Sequence, residues 1–354
     1  MDIQAVPILR PLRLGELLDQ AIRLYRRNFL TFVGIIAIVY VPLMVLQTAS
    51  SALLSSSFDD IAASTSPDEI FTNYAYLGGM LSSFILIFFQ VILLQGIATG
   101  ALTRAVADNY LGKKASILDA YRGIGKSWLT LIGALLFLGI VSIAISIWWV
   151  VPCIGWFTGL GMLAFLTAAV NPLVAPVVVM ERQGAISAVQ RAWNLSRRRF
   201  WQVLGTVFVL YLFSLIVVNG PVTIVNVLLI QAVPALDDPT MQVVLVSVIQ
   251  AIVALIFTLI YYPLQMTAFT LIYFDLRVRT EGLDIAFQAA NPTDAAALAQ
   301  VMAAPVSQTN ERLVTGADLG NFAILTLAAA GIYIFFFTFI MGSAFFLFSL
   351  MGIP

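Results

Sequence analysis

"AVQRAWNLSRRRFWQVLG" (residues 188–205) sets four arginines and two tryptophans into eighteen residues directly ahead of a long apolar run. Two other stretches share its frame: "AIRLYRRNFLTFVG" (21–34) and "AYRGIGKSWLTLIG" (120–133) align without gaps on "AWNLSRRRFWQVLG" (192–205). Each begins with alanine, follows it with a bulky residue (Ile22, Tyr121, Trp193), carries an aromatic at Phe29, Trp128 or Phe200, and ends on glycine as an apolar run begins. A partial fourth copy, "GLDIAFQAA" from Gly282, matches "GAISAVQRA" from Gly184 through Ala286, Gln288 and Ala290. Self-similarity of this kind is the signature of a repeated structural unit.

The apolar run behind each copy decides the fold class. The 354 residues are 61% hydrophobic and 10% charged, whereas an ordinary soluble domain carries about 25% charged residues. Uncharged apolar runs long enough to cross a bilayer fall near 30–54, 74–100, 129–150, 157–180, 203–232, 244–274 and 322–350,. The expected fold is an all-α polytopic transmembrane bundle of about seven spans, built as three interfacial-helix-plus-hairpin repeats and one extra C-terminal span. Trp148, Trp149 and Trp156, between the third and fourth runs, read as an interfacial aromatic belt around a tight turn,.

Charge gives the expected orientation. All 18 Lys and Arg residues fall in 1–29, 101–128, 181–202 and 275–321, while the alternate loops 55–73 and 233–243 carry only acidic charges. The positive-inside rule then puts the N-terminus in the cytoplasm and, after seven crossings, the C-terminus outside. No cleavable signal peptide is evident. The expected organisation is an interfacial helix within 1–29, a six-span body over 30–290 with interfacial helices at 101–128 and 181–202, a cytoplasmic linker at 291–321, and a seventh span within 322–354. In "LRLGELLDQAIRLYRRNF" the residues Leu14, Leu17, Leu18, Ala21, Leu24 and Tyr25 share one helical face, expected to sit in the acyl boundary while basic side chains snorkel to phosphates,. Arg23, Arg26, Arg27, Lys126, Arg197, Arg198 and Arg199 are the candidate contacts to anionic headgroups of the cytoplasmic leaflet,.

The stretches "RPLRLGELLDQAIRLYRRNF", "PLVAPVVVMERQGAISAVQRAWNLSRRRFWQVLG" and "YFDLRVRTEGLD" together resemble the membrane domain found attached to bacterial glycerophosphoryl diester phosphodiesterases. The resemblance covers roughly residues 8–290 and implies a bacterial plasma-membrane protein. It does not carry the family's phosphodiesterase chemistry with it. That chemistry uses histidines and a carboxylate-bound metal on a barrel of roughly 250 residues, and this chain has no histidine and no soluble stretch of that length.

The absence of histidine also removes the commonest general base and metal ligand,. The single cysteine, Cys153, has no disulfide partner and reads as a small apolar filler. No phosphate-binding loop or nucleophile elbow occurs, so no catalytic residue, cofactor or metal is assigned,. Asp275, Glu281 and Asp284 could between them offer a carboxylate-only metal site, but they stand near Arg277 and Arg279 and read first as a local ion-pair cluster. A nucleic-acid role for Arg197, Arg198 and Arg199 is disfavoured because the nearest phosphate to that run is lipid.

Two functions fit these observations. The leading one is a non-enzymatic, lipid-interacting scaffold or accessory subunit of a larger membrane complex, with the seventh span as docking addition. The alternative is a transporter or flippase-like carrier of a lipidic or neutral solute. Its site would lie at helix-interrupting polar positions within the spans: Asn171 in "NPLVAP", Asn219 in "NGP" and Gln265 in "YYPLQ",. Gly155, Gly159 and Gly161 would permit close helix approach,.

Overall fold

A computed structural model describes residues 10–62, 74–148, 150–152, 154–232, 239–289, 300–303 and 314–350. Cys153, Trp149 and most of the 291–321 linker lie outside the described residues. All regular structure among the described residues is helical. Hydrocarbon supplies no hydrogen-bond partners, so an apolar run in lipid must satisfy its backbone internally.

The chain begins with α1 (Leu14–Arg27) and α2 (Phe29–Ala62). Helix α3 (74–110) returns, with a π-helical stretch Val91–Ala98, and is followed by the short α4 (Ile117–Ile124). Helix α5 (Ser127–Trp148) and α6 (154–181), the latter with a π stretch at Leu166–Val170, form the second hairpin. Helix α7 (Ala185–Arg198) precedes α8 (200–232), which has a π stretch at Leu215–Asn219, and α9 (Pro239–Glu281). Helices α10 (Leu283–Ala289) and α11 (Gly316–Leu350) complete the chain. Among the described residues six helical stretches are long and apolar enough to cross a membrane: Phe29–Ser50, Leu77–Tyr110, Ser127–Trp148, Ile154–Glu181, Phe200–Leu229 and Leu245–Glu281.

The element boundaries correct the expected interfacial helices. Residues 101–110 belong to the end of α3, where Ala101, Leu102, Ala105, Val106 and Ala107 are fully buried. Only α4 remains as a separate amphipathic piece of the 101–128 stretch. "NGP" does not split the fifth run: the helix passes through it, absorbing the extra residue in a π turn. Pro176 and Pro263 likewise lie inside continuous helices.

The last turns of the three returning helices α3, α6 and α9 pack against one another, and the amphipathic helices clasp this junction. Helix α4 lies on α3, α7 on α6, and α1 on α9. The apolar face of α1 is therefore occupied by protein: Leu17, Ala21 and Tyr25, one turn apart, are buried against the bundle instead of lying in an acyl boundary. Tyr25 donates to the Ile260 carbonyl at 2.7 Å and Tyr121 of α4 to the Ile35 carbonyl at 2.6 Å. Burial pushes both phenols up to about 12, so they remain donors at any physiological pH.

The first half of α11 is part of the fold. Gly161 of α6 lets the helices meet so closely that a Cβ there would fall 2.0 Å from the Phe322 carbonyl oxygen, and the Gly161 amide donates to Thr326 Oγ1 at 2.8 Å. Phe322 is fully buried among Phe165, Trp193 and Phe200, with the Phe165 and Phe200 rings stacked at 4.6 Å. The glycine-rich start of α6 thus serves an intramolecular helix contact.

Candidate functional site

Two groups of polar side chains stand out: one is charged, paired and buried, and the other is neutral and lines a cavity. The first closes the junction of α6, α7 and α9. Glu181 ends α6, Arg191 points inward from the middle of α7, and Tyr273, Arg277 and Glu281 follow one another down the last turns of α9. Arg191 Nε donates to both Glu181 oxygens at 3.2 and 3.0 Å, and its Nη2 pairs with Glu281. Arg277 Nε donates to Glu281 at 3.0 Å. Its Nη1 donates to the Tyr273 hydroxyl at 3.0 Å and the Met302 carbonyl at 2.8 Å, and Tyr273 donates to Glu181 at 2.9 Å. Two carboxylates face two guanidiniums, so the cluster is neutral, and the four side chains are at most 3% exposed.

Beside it, Asp275 accepts the Leu12 amide at 2.7 Å, Gln202 Nε2 at 3.0 Å and Arg279 Nε at 2.9 Å, and Arg279 also donates to the Leu12 carbonyl at 2.7 Å. The segment ahead of α1 is thereby pinned to α9. Asp275 and Arg279 form the local pair expected from their spacing, but Glu281 also reaches back to Arg191. Among the described residues no cluster of acidic residues and cysteine has the arrangement of a metal site. A buried, neutral ion group of this kind fixes geometry; within it Arg191 Nη2 and Glu281 Oε1 meet as an ion pair and make no other hydrogen bond.

The second group lines a cavity of about 750 Å³ deeper in the bundle. Gln95 and Thr99 of α3, Thr167 and Asn171 of α6, and Tyr262 and Gln265 of α9 face it, together with Leu131 and Leu135 of α5, Trp201, Leu204 and Phe208 of α8, and Leu325 of α11. Tyr262 and Thr99 are hydrogen-bonded at 2.8 Å. The Thr99 hydroxyl donates to the Leu94 carbonyl at 2.9 Å, so the tyrosine is the donor of that pair. Thr167 donates to the Leu163 carbonyl at 2.9 Å. The amides of Gln95, Asn171 and Gln265, by contrast, have no partner among the described residues. Gln95 and Asn171 are exposed and Gln265 is half-buried, so their donors and acceptors are open to a molecule that enters the cavity.

The backbone is irregular at the same place. The π turn of α3 closes with the Thr99 amide on the Leu94 carbonyl, and that of α6 with the Asn171 amide on the Leu166 carbonyl. Single π turns inside helices are frequent at functional sites because they re-aim side chains. In the sequence, Gln95, Thr167 and Gln265 stand at equal distances ahead of Ala120, Ala192 and Ala290, and Thr99, Asn171 and Phe269 do likewise.

Of the three intramembrane positions expected from sequence, Asn171 and Gln265 are brought together at the cavity. Asn219 is not: it is exposed on α8, outside the cavity, with its carbonyl accepting from Thr223 at 2.8 Å. No proline marks Gln95 or Thr99, and only their place in the repeat points to them; Tyr262 stands beside Pro263, but no polar residue holds its place in the other copies. Among the candidate headgroup contacts, Arg23, Arg26, Arg27, Lys126, Arg198 and Arg199 are exposed. Arg197 is turned inward instead, its side chain 10% exposed and paired with Asp318 of α11 at 3.2 Å. No charged side chain lines the cavity.

Searches against family models, curated proteins and solved structures found no match to this chain.

Proposed function

We propose that this is a carrier-like protein of the bacterial plasma membrane that binds an uncharged lipidic solute in the cavity between α3, α6 and α9. The observation that carries the reading is the set of three unpaired amides, Gln95, Asn171 and Gln265, facing one mostly apolar space within candidate spanning helices. Pockets of about 300–1,000 Å³ lined by apolar walls and a few convergent polar groups are the usual form of small-molecule sites. Neutral amides with no nearby counter-ion favour a neutral ligand, because a charge brought there would lose its hydration without compensation.

In this reading α11 is a seventh span, the arginine-rich end faces the cytoplasm, and each hairpin with its amphipathic helix is one of three related units. The mutual packing of α3, α6 and α9, with α1, α4 and α7 laid on them in turn, supports that arrangement, as do the equal registers of the cavity residues. The resemblance to the phosphodiesterase-linked membrane domain supports the bacterial setting. The scaffold reading draws less support, since the amphipathic faces of α1 and α7 that would contact lipid are spent on the bundle itself.

Native mass spectrometry of the protein extracted gently from its own membrane tests the proposal. A retained neutral lipidic adduct of one class, lost in Asn171→Leu and Gln265→Leu, is the expected result. Adducts unchanged in both variants would move the binding site elsewhere, and fixed protein partners with no small molecule would restore the subunit reading.

A further inference from the structure

The cavity has a side as well as a polar floor. Trp201, Phe208 and Tyr211 line it from one face of α8, yet remain 52%, 52% and 57% exposed. Helix α8 packs on α6, α7 and α9. The Leu131 and Leu135 face of α5, on the other side of the cavity, has no extended packing contact with it. A gap between two spanning helices opens onto lipid, not water. From Trp201 to Tyr211 the opening runs about 15 Å along the helix axis, half of a hydrocarbon core of roughly 30 Å. It starts beside the exposed Arg198 and Arg199, at the end of the bundle where the basic residues gather.

We infer that the cavity is filled sideways, from the leaflet on the arginine-rich side, by a lipid whose uncharged hydroxyl-bearing head hydrogen-bonds Gln95, Asn171 and Gln265 while its chain lies between α5 and α8 on Trp201 and Phe208. This rests on the cavity being a binding site, and narrows its ligand from neutral solutes in general to a neutral-headgroup lipid of the diacylglycerol type. Amides offer both donors and acceptors, which suits hydroxyl and ester groups. The half-exposed aromatics suit a chain that stays partly in the bilayer. A glycerophospholipid would place its phosphate either against uncharged amides or outside at Arg199, and the latter would leave the three amides unpaired.

The test supplies three probes to the delipidated full-length protein and reads retention by native mass spectrometry: dioleoylglycerol, dioleoylphosphatidylglycerol and the water-soluble neutral sugar maltose. Dioleoylglycerol is expected to be retained at least tenfold better than the other two. Gln265→Leu should reduce that retention about tenfold. Leu135→Trp, which narrows the opening without touching an amide, should slow its uptake severalfold, and circular dichroism and gel filtration of both variants verify the fold. Preferential retention of the anionic lipid would overturn the neutral-head assignment. Retention of maltose with neither lipid would overturn sideways filling but leave the cavity as a binding site. Retention of none of the probes by wild-type protein would overturn the inference, and if native extracts also lack a small-molecule adduct, the cavity reading fails with it. Unchanged uptake in Leu135→Trp would place the opening elsewhere.

Discussion

The junction at the end of α6 and α9 and the cavity a few turns above it are built from similar numbers of polar side chains, share α6 and α9, and have opposite character. At the junction Glu181, Arg191, Tyr273, Arg277 and Glu281 pair with one another through hydrogen bonds and ion pairs. In the cavity Gln95, Asn171 and Gln265 satisfy nothing among the described residues. The two groups thus treat charge and neutral polarity differently. The charged group costs so much to bury alone that it must be paired, whereas a neutral amide is cheap enough to be held open for a ligand.

The sharpest way to break that comparison is to leave a charge unpaired at the junction. Arg191→Met removes the shared partner of Glu181 and Glu281, leaving two buried carboxylates around Arg277. Breaking a buried pair costs about 3–5 kcal/mol, so equilibrium unfolding in mixed micelles should show a loss of that size or no folded protein. A loss under about 1 kcal/mol would mean water reaches the group, and the junction would no longer be the counterexample to the cavity.

The Arg197 and Asp318 pair is the intermediate case. Asp318 also accepts the Thr315 amide at 2.8 Å and hydroxyl at 2.7 Å, so one oxygen holds the start of α11 and ties it to α7. Hydrogen bonds to a charged group contribute about 1.5–3 kcal/mol each, with the low end apt here because Arg197 is partly exposed. Asp318→Asn should lower stability by about 1.5 kcal/mol and make limited proteolysis ahead of α11 faster. Proteolysis at the wild-type rate would show that the Gly161 contact holds α11 without the ion pair.

Much of this was legible in the sequence, for one reason. In lipid a long apolar run has only the helix open to it, so the runs read at 129–150 and 157–180 differ from α5 and α6 by a few residues at each end. The inward turn of Arg191 was not legible. Within "AVQRAWNLSRRR" it looks like one more basic residue of an exposed face, and its partners come from the ends of two other helices. Two cavity amides, Asn171 and Gln265, could be picked out because proline stands beside or near them. Asn219 satisfied the same rule and faces outward, since a proline reports where backbone bonds are interrupted and not which way a side chain points,.

The cavity should respond to mutation in the opposite sense from the junction. Replacing Asn171 or Gln265 with leucine removes an unpaired amide and adds apolar surface of similar volume. Stability of the ligand-free protein should stay within about 0.5 kcal/mol of wild type or rise by up to about 1 kcal/mol. The measurement is the same unfolding experiment on delipidated protein. A loss of about 2 kcal/mol or more would mean that these amides are structural after all, and the contrast with the junction would collapse.

The smallest effect is expected where a carboxylate meets water. Glu16 accepts the Arg13 backbone N–H at 3.0 Å at the start of α1, and this bond, aided by the nearby Arg10 and Arg13 charges, holds its carboxyl below the ordinary value of 4.5. A carboxyl lowered on folding contributes stability that is present above its unfolded value and is lost as pH falls through the folded one. Because the Glu16 side chain is 41% exposed, solvent screens the contribution and global unfolding should not register it. Amide exchange should. Exchange at the first turn of α1 is expected to rise below pH 4.5 in the wild type, corrected for intrinsic rates, and to be independent of pH in Glu16→Gln over the same range. If the first turn opens with acid to the same extent in both proteins, the Glu16 contact to the Arg13 amide does not hold the start of α1.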